Sequence, residues 1–176
     1  MKVNSPAVFE HRRIILVGSM GVGKSTVGKI LAEKLNWEYI DNDLELSKMA
    51  QLSLDQLAEL DVTTLHALEA KNLWDVLSRP GPLIAGAAAS VADNFELVNA
   101  LKNEFTVYLY MPIESHQIRA GSKGVGRQGL IDKPTDVIRQ RFERRDPRYR
   151  QVASLIVETT RNSHRDAELI IEKLRK

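Results

Sequence analysis

The chain has 176 residues, enough for one domain with a sizeable core and too few for two large domains. It contains no cysteine, which excludes disulfides, cysteine-ligated metals and thiol catalysis, and its longest run of small uncharged residues, 83–92, is far shorter than the roughly 20 apolar residues of a membrane-spanning helix. The net charge is only +2. We expect a single cytoplasmic domain over residues 1–176, with an N-terminal extension at 1–11 and no membrane partner.

Strand-length hydrophobic runs alternate along the chain with segments of helical periodicity. Strands are predicted at 13–18, 39–40, 83–85, 105–110 and 154–157. Helices are predicted at 24–36, 54–60, 65–77 and 167–174, with N-caps at Ser53 and at Thr63 or Thr64. The polar, glycine-containing segment 122–133 is predicted to be a mobile loop, and the arginine-rich segment after it has helical spacing. This alternation predicts an α/β fold built on a parallel sheet.

A phosphate-binding motif follows the first predicted strand. Residues 18–25 read G-S-M-G-V-G-K-S and match G-x-x-x-x-G-K-[ST], between a buried strand and a helix as the motif requires. Glycines let successive backbone N–H groups point at one anion, and the helix N-terminus adds partial positive charge. Lys24 is then expected to reach the β- and γ-phosphates of a nucleotide, and Ser25 to offer a hydroxyl to Mg²⁺. A glycine turn with an exposed lysine is the structural alternative.

Two carboxylates follow the second predicted strand. Asp41 and Asp43 flank Asn42, and strand alternation would point both side chains to one face, at the edge where ligands bind in such folds. One carboxylate could hold Mg²⁺ through water while the other accepts a hydrogen bond or a proton from an acceptor hydroxyl. The alternative is an Asx turn and the N-cap of a helix that starts near Leu44.

Basic residues are concentrated in the last third of the chain. Residues 1–114 carry 10 lysines and arginines against 15 acidic residues, whereas residues 115–176 carry 15 against 8. The density of arginine between Arg139 and Arg150 fits either a nucleic-acid surface or a site for small anions. Few aromatic residues are interleaved with these arginines, which favours phosphate binding and a solvated helix face over a nucleic-acid partner.

The phosphate-binding motif, the Asp41–Asp43 segment, Arg127 in the polar loop and the segment 145–153 together resemble the shikimate kinase family. The resemblance runs in order and spacing over nearly the whole chain from Arg12 onward. It implies a P-loop NTPase-type α/β fold with about five parallel strands, helices on both faces and a lid at 122–133. It also implies transfer of the ATP γ-phosphate to a hydroxyl of shikimate, with ATP and Mg²⁺ as cofactors.

By that resemblance the site residues fall into groups. Nucleotide binding is implied for Gly21, Val22, Gly23, Lys24, Ser25, Thr26, Arg119 and His164, and Mg²⁺ binding for Ser25 and Asp41. Acceptor binding is implied for Asp43, His66, Gly86, Ala87 and Arg145. Catalytic roles are implied for Lys24, Asp43 and Arg127.

Two departures from the family pattern concern the acceptor. His66 stands where the family has an arginine of a carboxylate clamp, and histidine is shorter and mostly neutral at pH 7. Residues 86–89 read G-A-A-A where the family has three glycines, and each added methyl takes up space and restricts positive φ. We therefore expect intact phosphate chemistry and altered acceptor recognition.

Three functions stay open at this point. The first is an ATP-dependent kinase of a small acceptor, shikimate or a related hydroxy acid, acting as a monomer. The second is a nucleotide or gluconate kinase on the same scaffold, although no base-binding pocket can be identified. The third is a degenerate, nucleotide-binding regulatory protein that no longer phosphorylates shikimate. His66 and the alanines favour the third, whereas the retained aspartates and arginines favour the first.

Overall fold

The structure, a computed structural model, describes residues 10–115 and 135–175. Its strands are β1 Arg13–Val17, β2 Glu38–Ile40, β3 Leu83–Gly86, β4 Phe105–Tyr110 and β5 Leu155–Glu158. Its helices are α1 Lys24–Leu35, α2 Asn42–Ala50, α3 Leu54–Ala58, α4 Val62–Ser78, α5 Phe95–Leu101, α6 Thr135–Val152 and α7 Ser163–Leu174, with a 3-10 helix at Ala89–Asp93. The predicted lid, with Arg127, and also Arg119 lie outside the described residues. Across the two described ranges, no helix is both long and apolar enough to cross a bilayer.

The five strands form one parallel sheet in the order β2-β3-β1-β4-β5. In its register Leu16 of β1 lies beside Gly86 of β3, and Ile40 of β2 lies beside Ala85. Because the strands are parallel, the chain leaves β1, β2 and β3 at one edge of the sheet. This confirms the predicted α/β fold, and it places three connecting segments side by side where ligands bind in such sheets.

The core lies on both faces of the sheet. Ile14 and Leu16 pack with α1 and α7, while Ile15 and Val17 point the other way and pack with α4, α5 and α6. All four side chains are fully buried. Burial on both faces explains why β1 is an unbroken apolar run, and each such side chain stabilises the fold by about 1.5–3 kcal/mol.

Several helix starts differ from the prediction. The N-cap of α4 is Asp61, and neither Thr63 nor Thr64: the Asp61 carboxylate accepts hydrogen bonds from the Thr64 backbone N–H at 3.0 Å and hydroxyl at 2.6 Å. The helix therefore begins at Val62, one turn early, since Asp caps as well as Ser and better than Thr. Ser53 does cap α3, in a capping box with Gln56. The 3-10 helix and α5 fill a stretch where no element was predicted.

Candidate active site

The loop between β1 and α1 has the geometry of an anion cradle. Gly23, the residue before α1, takes φ 106°, which residues with a Cβ rarely adopt. A Cβ at Gly23 would meet no heavy atom within 4 Å, so the inner side of the loop is open space. Among the described residues, no side chain caps α1. The N–H groups of its first turn therefore have no side-chain cap, which is compatible with the predicted phosphate site.

Lys24 lies across this cradle. Its Nζ donates hydrogen bonds to the carbonyl oxygens of Gly18 at 2.7 Å and Ser19 at 3.0 Å. These bonds hold the ammonium group at the mouth of the loop, where the β- and γ-phosphates of a bound nucleotide would lie. Ser25 and Thr26 follow in the first turn of α1 and are exposed.

A cavity of about 280 Å³ opens in front of the loop. Its lining includes the predicted residues Gly21, Gly23, Lys24, Ser25, Thr26, Asp41, Asp43, Gly86 and Ala87. Tyr39, Asn42 and Glu69, none of them predicted, also line it. The Val22 side chain instead packs into the core, 2% exposed, so a contact from Val22 would come through its backbone. The structure thus joins the phosphate loop and both aspartates around one space.

The two aspartates reach the cavity for a different reason from the one predicted. β2 ends at Ile40, so Asp41 and Asp43 do not lie on a strand, and the strand-alternation prediction is wrong. Asp41 is instead the N-cap of α2, and its Oδ1 accepts hydrogen bonds from the backbone N–H groups of Asp43 at 3.1 Å and Leu44 at 3.3 Å. The start of the helix therefore aims both carboxylates at the cavity.

Side chains of Mg²⁺-binding type face each other across this cavity. The Ser25 hydroxyl and the Asp41 carboxylate supply oxygen ligands, the kind that Mg²⁺ prefers. Within residues 10–115 and 135–175, no group of three or more histidine and acidic side chains forms a cage for a metal ion. Such a sparse donor set fits an ion that is held largely by water and nucleotide phosphates.

Tyr39 is a residue of the site that sequence reasoning missed. Its ring lies against Gly28 of α1, where a Cβ would overlap it. Its hydroxyl is buried beside Ser25 and Asp41, yet makes no hydrogen bond of good geometry within the described part of the chain. Burial raises the pKa of Tyr39 to about 12, so the phenol stays neutral and can donate. Its position two residues before Asp41 was the available signal.

Glu69 brings a buried carboxyl group to the other side of the cavity. It lies on α4, 9% exposed, and accepts a hydrogen bond from the Ser90 hydroxyl of the 3-10 helix. Burial raises the pKa of Glu69 above its usual value, opposed by the Ser90 hydrogen bond and the charge of Arg145. Glu69 lies three positions after His66, and this i, i+3 spacing could have indicated a shared helix face.

Arg145 and His66 lie close enough to interact electrostatically, and neither is among the described residues that line the 280 Å³ cavity. Arg145, on α6, is 8% exposed and forms an ion pair with Asp93 at 2.6 Å. His66 and Asp93 line a second cavity, of about 250 Å³. Burial lowers the pKa of His66, and the charge of Arg145 lowers it further, so this histidine is neutral at pH 7. Asp93 was not predicted.

The remaining predicted residues contribute differently. Ala88 takes φ −61°, and Ala87 also lies outside the positive-φ region, so the expected restriction of positive φ does not arise. Both methyl groups pack into the core. His164 is exposed on the first turn of α7 and lies outside the lining of the 280 Å³ cavity within the described residues. Of the two departures noted in the sequence, the one at His66 therefore stays a candidate for an effect on acceptor binding.

The parallel sheet, the phosphate loop after β1 and the acidic start of α2 define a P-loop phosphotransferase. The family model for shikimate kinase matches residues 20–175. The shikimate kinase of Halorhodospira halophila is 35% identical over 167 residues, covering 92% of this chain and 93% of that protein. The enzyme of Pseudoalteromonas translucida is 33% identical over 171 residues, covering 94% and 98%.

Solved structures agree with these relatives. Shikimate kinase from Acinetobacter baumannii in complex with shikimate matches with a TM-score of 0.81 at 30% identity, over 93% of this chain and 92% of that one. A gluconokinase from Sinorhizobium meliloti, at 17% identity and a TM-score of 0.59, shares the fold alone. The chain belongs to the shikimate kinase family and is an ATP-dependent small-molecule kinase.

Proposed function

We propose that the protein transfers the γ-phosphoryl group of ATP to a hydroxyl of shikimate. The observation that carries the proposal is the one cavity in which the phosphate loop, Lys24 and Asp43 face each other. The shikimate kinases to which the chain is similar support the choice of acceptor.

The phosphate side of the cavity would stabilise charge. The N–H groups of the loop and of the first turn of α1 bind the nucleotide phosphates, and Lys24 offsets the negative charge that develops during transfer. Ser25 and Asp41 would hold Mg²⁺, which neutralises and orients the β- and γ-phosphates when bound. Asp41 can do this while it caps α2, because both capping hydrogen bonds go to its Oδ1.

Asp43 would act on the acceptor. Its carboxylate accepts a hydrogen bond from the acceptor hydroxyl and takes the proton as the bond to phosphorus forms and the bond to the leaving ADP oxygen breaks. The hydrogen bond from Asn72 of α4 to the Asn42 side chain, at 3.0 Å, fixes the start of α2 and with it this carboxylate. The buried guanidinium of Arg145 would receive the acceptor carboxylate.

A kinase of a different small hydroxylated acceptor is the second candidate. One observation favours it: the neutral His66 stands where the family has an arginine, next to an Arg145 that already has a carboxylate partner. A carboxylate acceptor would therefore bind more weakly here than in a site with two arginines.

A coupled assay of ADP release distinguishes these candidates. The full chain is supplied with MgATP and, in turn, with shikimate, quinate, gluconate and no acceptor. We expect shikimate-dependent release with a KM no higher than the low millimolar range and a kcat above about 1 s⁻¹. Release that responds to another polyol and not to shikimate would establish the second candidate, and release with no acceptor dependence would refute both.

A further inference from the structure

The hydroxyl of Tyr39 lies between the end of β3 and the first turn of α1. A Cβ built on Gly86 would lie 3.2 Å from this hydroxyl and 3.8 Å from the Cβ of Lys24. At the ring itself, a Cβ on Gly28 would overlap the aromatic carbons. The two glycines thus leave a slot that the tyrosine fills, and close packing of this kind gives its hydroxyl a fixed place.

This hydroxyl is shielded from water and lacks a good hydrogen bond. Its oxygen is buried, so bulk solvent does not satisfy it. It lies beside the Ser25 hydroxyl and the Asp41 carboxylate, close enough to interact with both. Within residues 10–115 and 135–175, neither contact has the geometry of a good hydrogen bond. A phenylalanine would fill the slot without the desolvation cost, so packing alone does not account for the hydroxyl.

The two neighbours of the Tyr39 hydroxyl are the side chains that would hold Mg²⁺. A carboxylate only accepts hydrogen bonds, whereas a hydroxyl both donates and accepts. The Tyr39 hydroxyl can therefore donate to Asp41, while its oxygen accepts from the Ser25 hydroxyl. This pairing engages the hydrogen of Ser25 and leaves the lone pairs of its oxygen for a cation.

We propose that Tyr39 is a positioning residue for Mg²⁺, whose hydroxyl links the Ser25 hydroxyl to the Asp41 carboxylate and so fixes both oxygen ligands. The inference rests on the nucleotide and Mg²⁺ binding of the proposed function, and not on the identity of the acceptor. The two contacts of Tyr39 shorten to good hydrogen bonds when Ser25 and Asp41 bind the ion, as contacts at catalytic sites do in their complexes. Loss of a group that orients metal ligands weakens metal binding about 10- to 100-fold.

The test measures how strongly Mg²⁺ raises the affinity for ADP. ADP is titrated by calorimetry into the full chain, once with excess Mg²⁺ and once with EDTA. The wild-type protein should bind ADP about 10- to 100-fold more tightly with Mg²⁺. Tyr39→Phe, which removes only the hydroxyl, should lower this ratio about tenfold through weaker binding of MgADP. Its affinity for ADP with EDTA should stay within about twofold of the wild type, because the phosphate loop is unchanged.

Tyr108→Phe is the matched control. The Tyr108 hydroxyl donates to Asp146 at 2.8 Å, and Tyr108 lies outside the described lining of the 280 Å³ cavity. This variant loses a buried hydrogen bond, yet it should keep the wild-type ratio of ADP affinities. It therefore separates a general loss of stability from an effect on the metal site.

A double variant tests whether Tyr39 acts through Asp41. Asn at position 41 can cap α2 with its Oδ1, but it carries an NH₂ group in place of Oδ2, and that group accepts no hydrogen bond. Tyr39→Phe alone should raise the Mg²⁺ concentration for half-maximal ADP release about tenfold. Added to Asp41→Asn, it should raise that concentration by less than about threefold, because interacting residues are not additive.

Three results would overturn the proposal. The first is an unchanged ratio of ADP affinities in Tyr39→Phe. The second is an equal loss of affinity with Mg²⁺ and with EDTA, which would assign the hydroxyl to the shape of the phosphate loop. The third is a tenfold effect that persists in the Asp41→Asn background, which would mean that Tyr39 does not act through this carboxylate.

The same samples separate this proposal from the proposed function. Shikimate-dependent ADP release in the wild type, together with an unchanged ratio in Tyr39→Phe, would retain the proposed function and refute the role of Tyr39. No release with shikimate, together with the expected fall of the ratio, would refute shikimate as the acceptor and support the role of Tyr39. A wild-type protein that binds ADP equally with Mg²⁺ and with EDTA would refute the metal site and the role of Tyr39 together.

Discussion

The phosphate end of the site, residues 18–26 with Asp41, and its acceptor end, formed by His66, Glu69, Asp93 and Arg145, are built differently. One continuous segment and its backbone N–H groups make the phosphate end. Side chains from α4, the 3-10 helix and α6 make the acceptor end, and the contact of Asp93 with Arg145 joins residues 52 positions apart. Backbone geometry fixed by glycine tolerates few changes, whereas a set of side chains can exchange partners. The two ends can therefore diverge independently, one keeping its chemistry while the other changes its ligand.

The largest expected effect is at the phosphate end. Lys24→Ala should lower kcat by at least about 10³-fold, because the ammonium group contacts charge that develops only during transfer. ADP release with MgATP and acceptor measures it. Lys34→Ala, on the same helix but in an exposed ion pair with Glu168, is the control and should keep wild-type turnover. Near-normal turnover of Lys24→Ala would mean that the loop does not bind the transferred phosphate.

Asp41 and Asp43 lie where the phosphate end and the acceptor end of the site meet, and mutation should show that they have different roles. Asp43→Asn should lower kcat about 10²-fold without changing the KM for ATP, since it removes the proton acceptor. Asp41→Asn should instead raise the Mg²⁺ concentration needed for half-maximal rate, and α2 should remain intact because Asn caps as well as Asp. Rates measured across a magnesium titration distinguish the roles. Equal, small losses of rate in both variants would show that the two aspartates serve only the start of helix α2.

A smaller effect is expected from restoring the arginine at the acceptor end. His66→Arg should lower the shikimate KM about tenfold, because it adds a charge-assisted contact to the acceptor carboxylate. The effect should lie at the low end for such a contact, because Arg145 and two further arginines close to this position repel the new charge. Ala87→Gly should add little, since the Ala87 methyl packs into the core, and should cost about 0.5–1 kcal/mol of stability. Shikimate kinetics of the two single variants and the double variant test this. Recovery from Ala87→Gly alone would show that the methyl blocks the acceptor.

The same contrast explains what the sequence could predict. The P-loop was predictable because the motif, the strand before it and the helix after it lie within about one βαβ unit. Asp41 was expected at the ligand-binding edge of the sheet because strand alternation was extended through Asp43. In the structure β2 ends at Ile40, and the Asp41 side chain caps α2 instead. Asp61 displaced the predicted threonine caps because a stronger cap stood just upstream.

One residue of the acceptor end, Asp93, was out of reach for a physical reason. Asp93 lies in a five-residue 3-10 helix with no hydrophobic periodicity, and its partner is on another element. The adjoining α5 did carry a signal: Asn94 precedes it and caps the Leu97 backbone N–H at 3.0 Å. The alanines after Gly86 looked restrictive in sequence, yet their backbone conformation needs no glycine.

The smallest expected effect concerns stability at the phosphate end. The buried Tyr39 hydroxyl lies beside Ser25 and Asp41 but makes no hydrogen bond of good geometry to any described residue, so Tyr39→Phe removes a desolvation cost that is at most partly offset. We expect the free protein to gain about 1 kcal/mol, or about 2–4 °C in Tm. Tyr108→Phe is the matched control, because the Tyr108 hydroxyl donates to Asp146 at 2.8 Å and its loss should lower stability by a similar amount. Thermal unfolding without ligands compares them. Opposite signs would show that the Tyr39 hydroxyl lacks a good hydrogen bond in the free protein, whereas destabilisation by both changes would mean that Tyr39 is already hydrogen-bonded there.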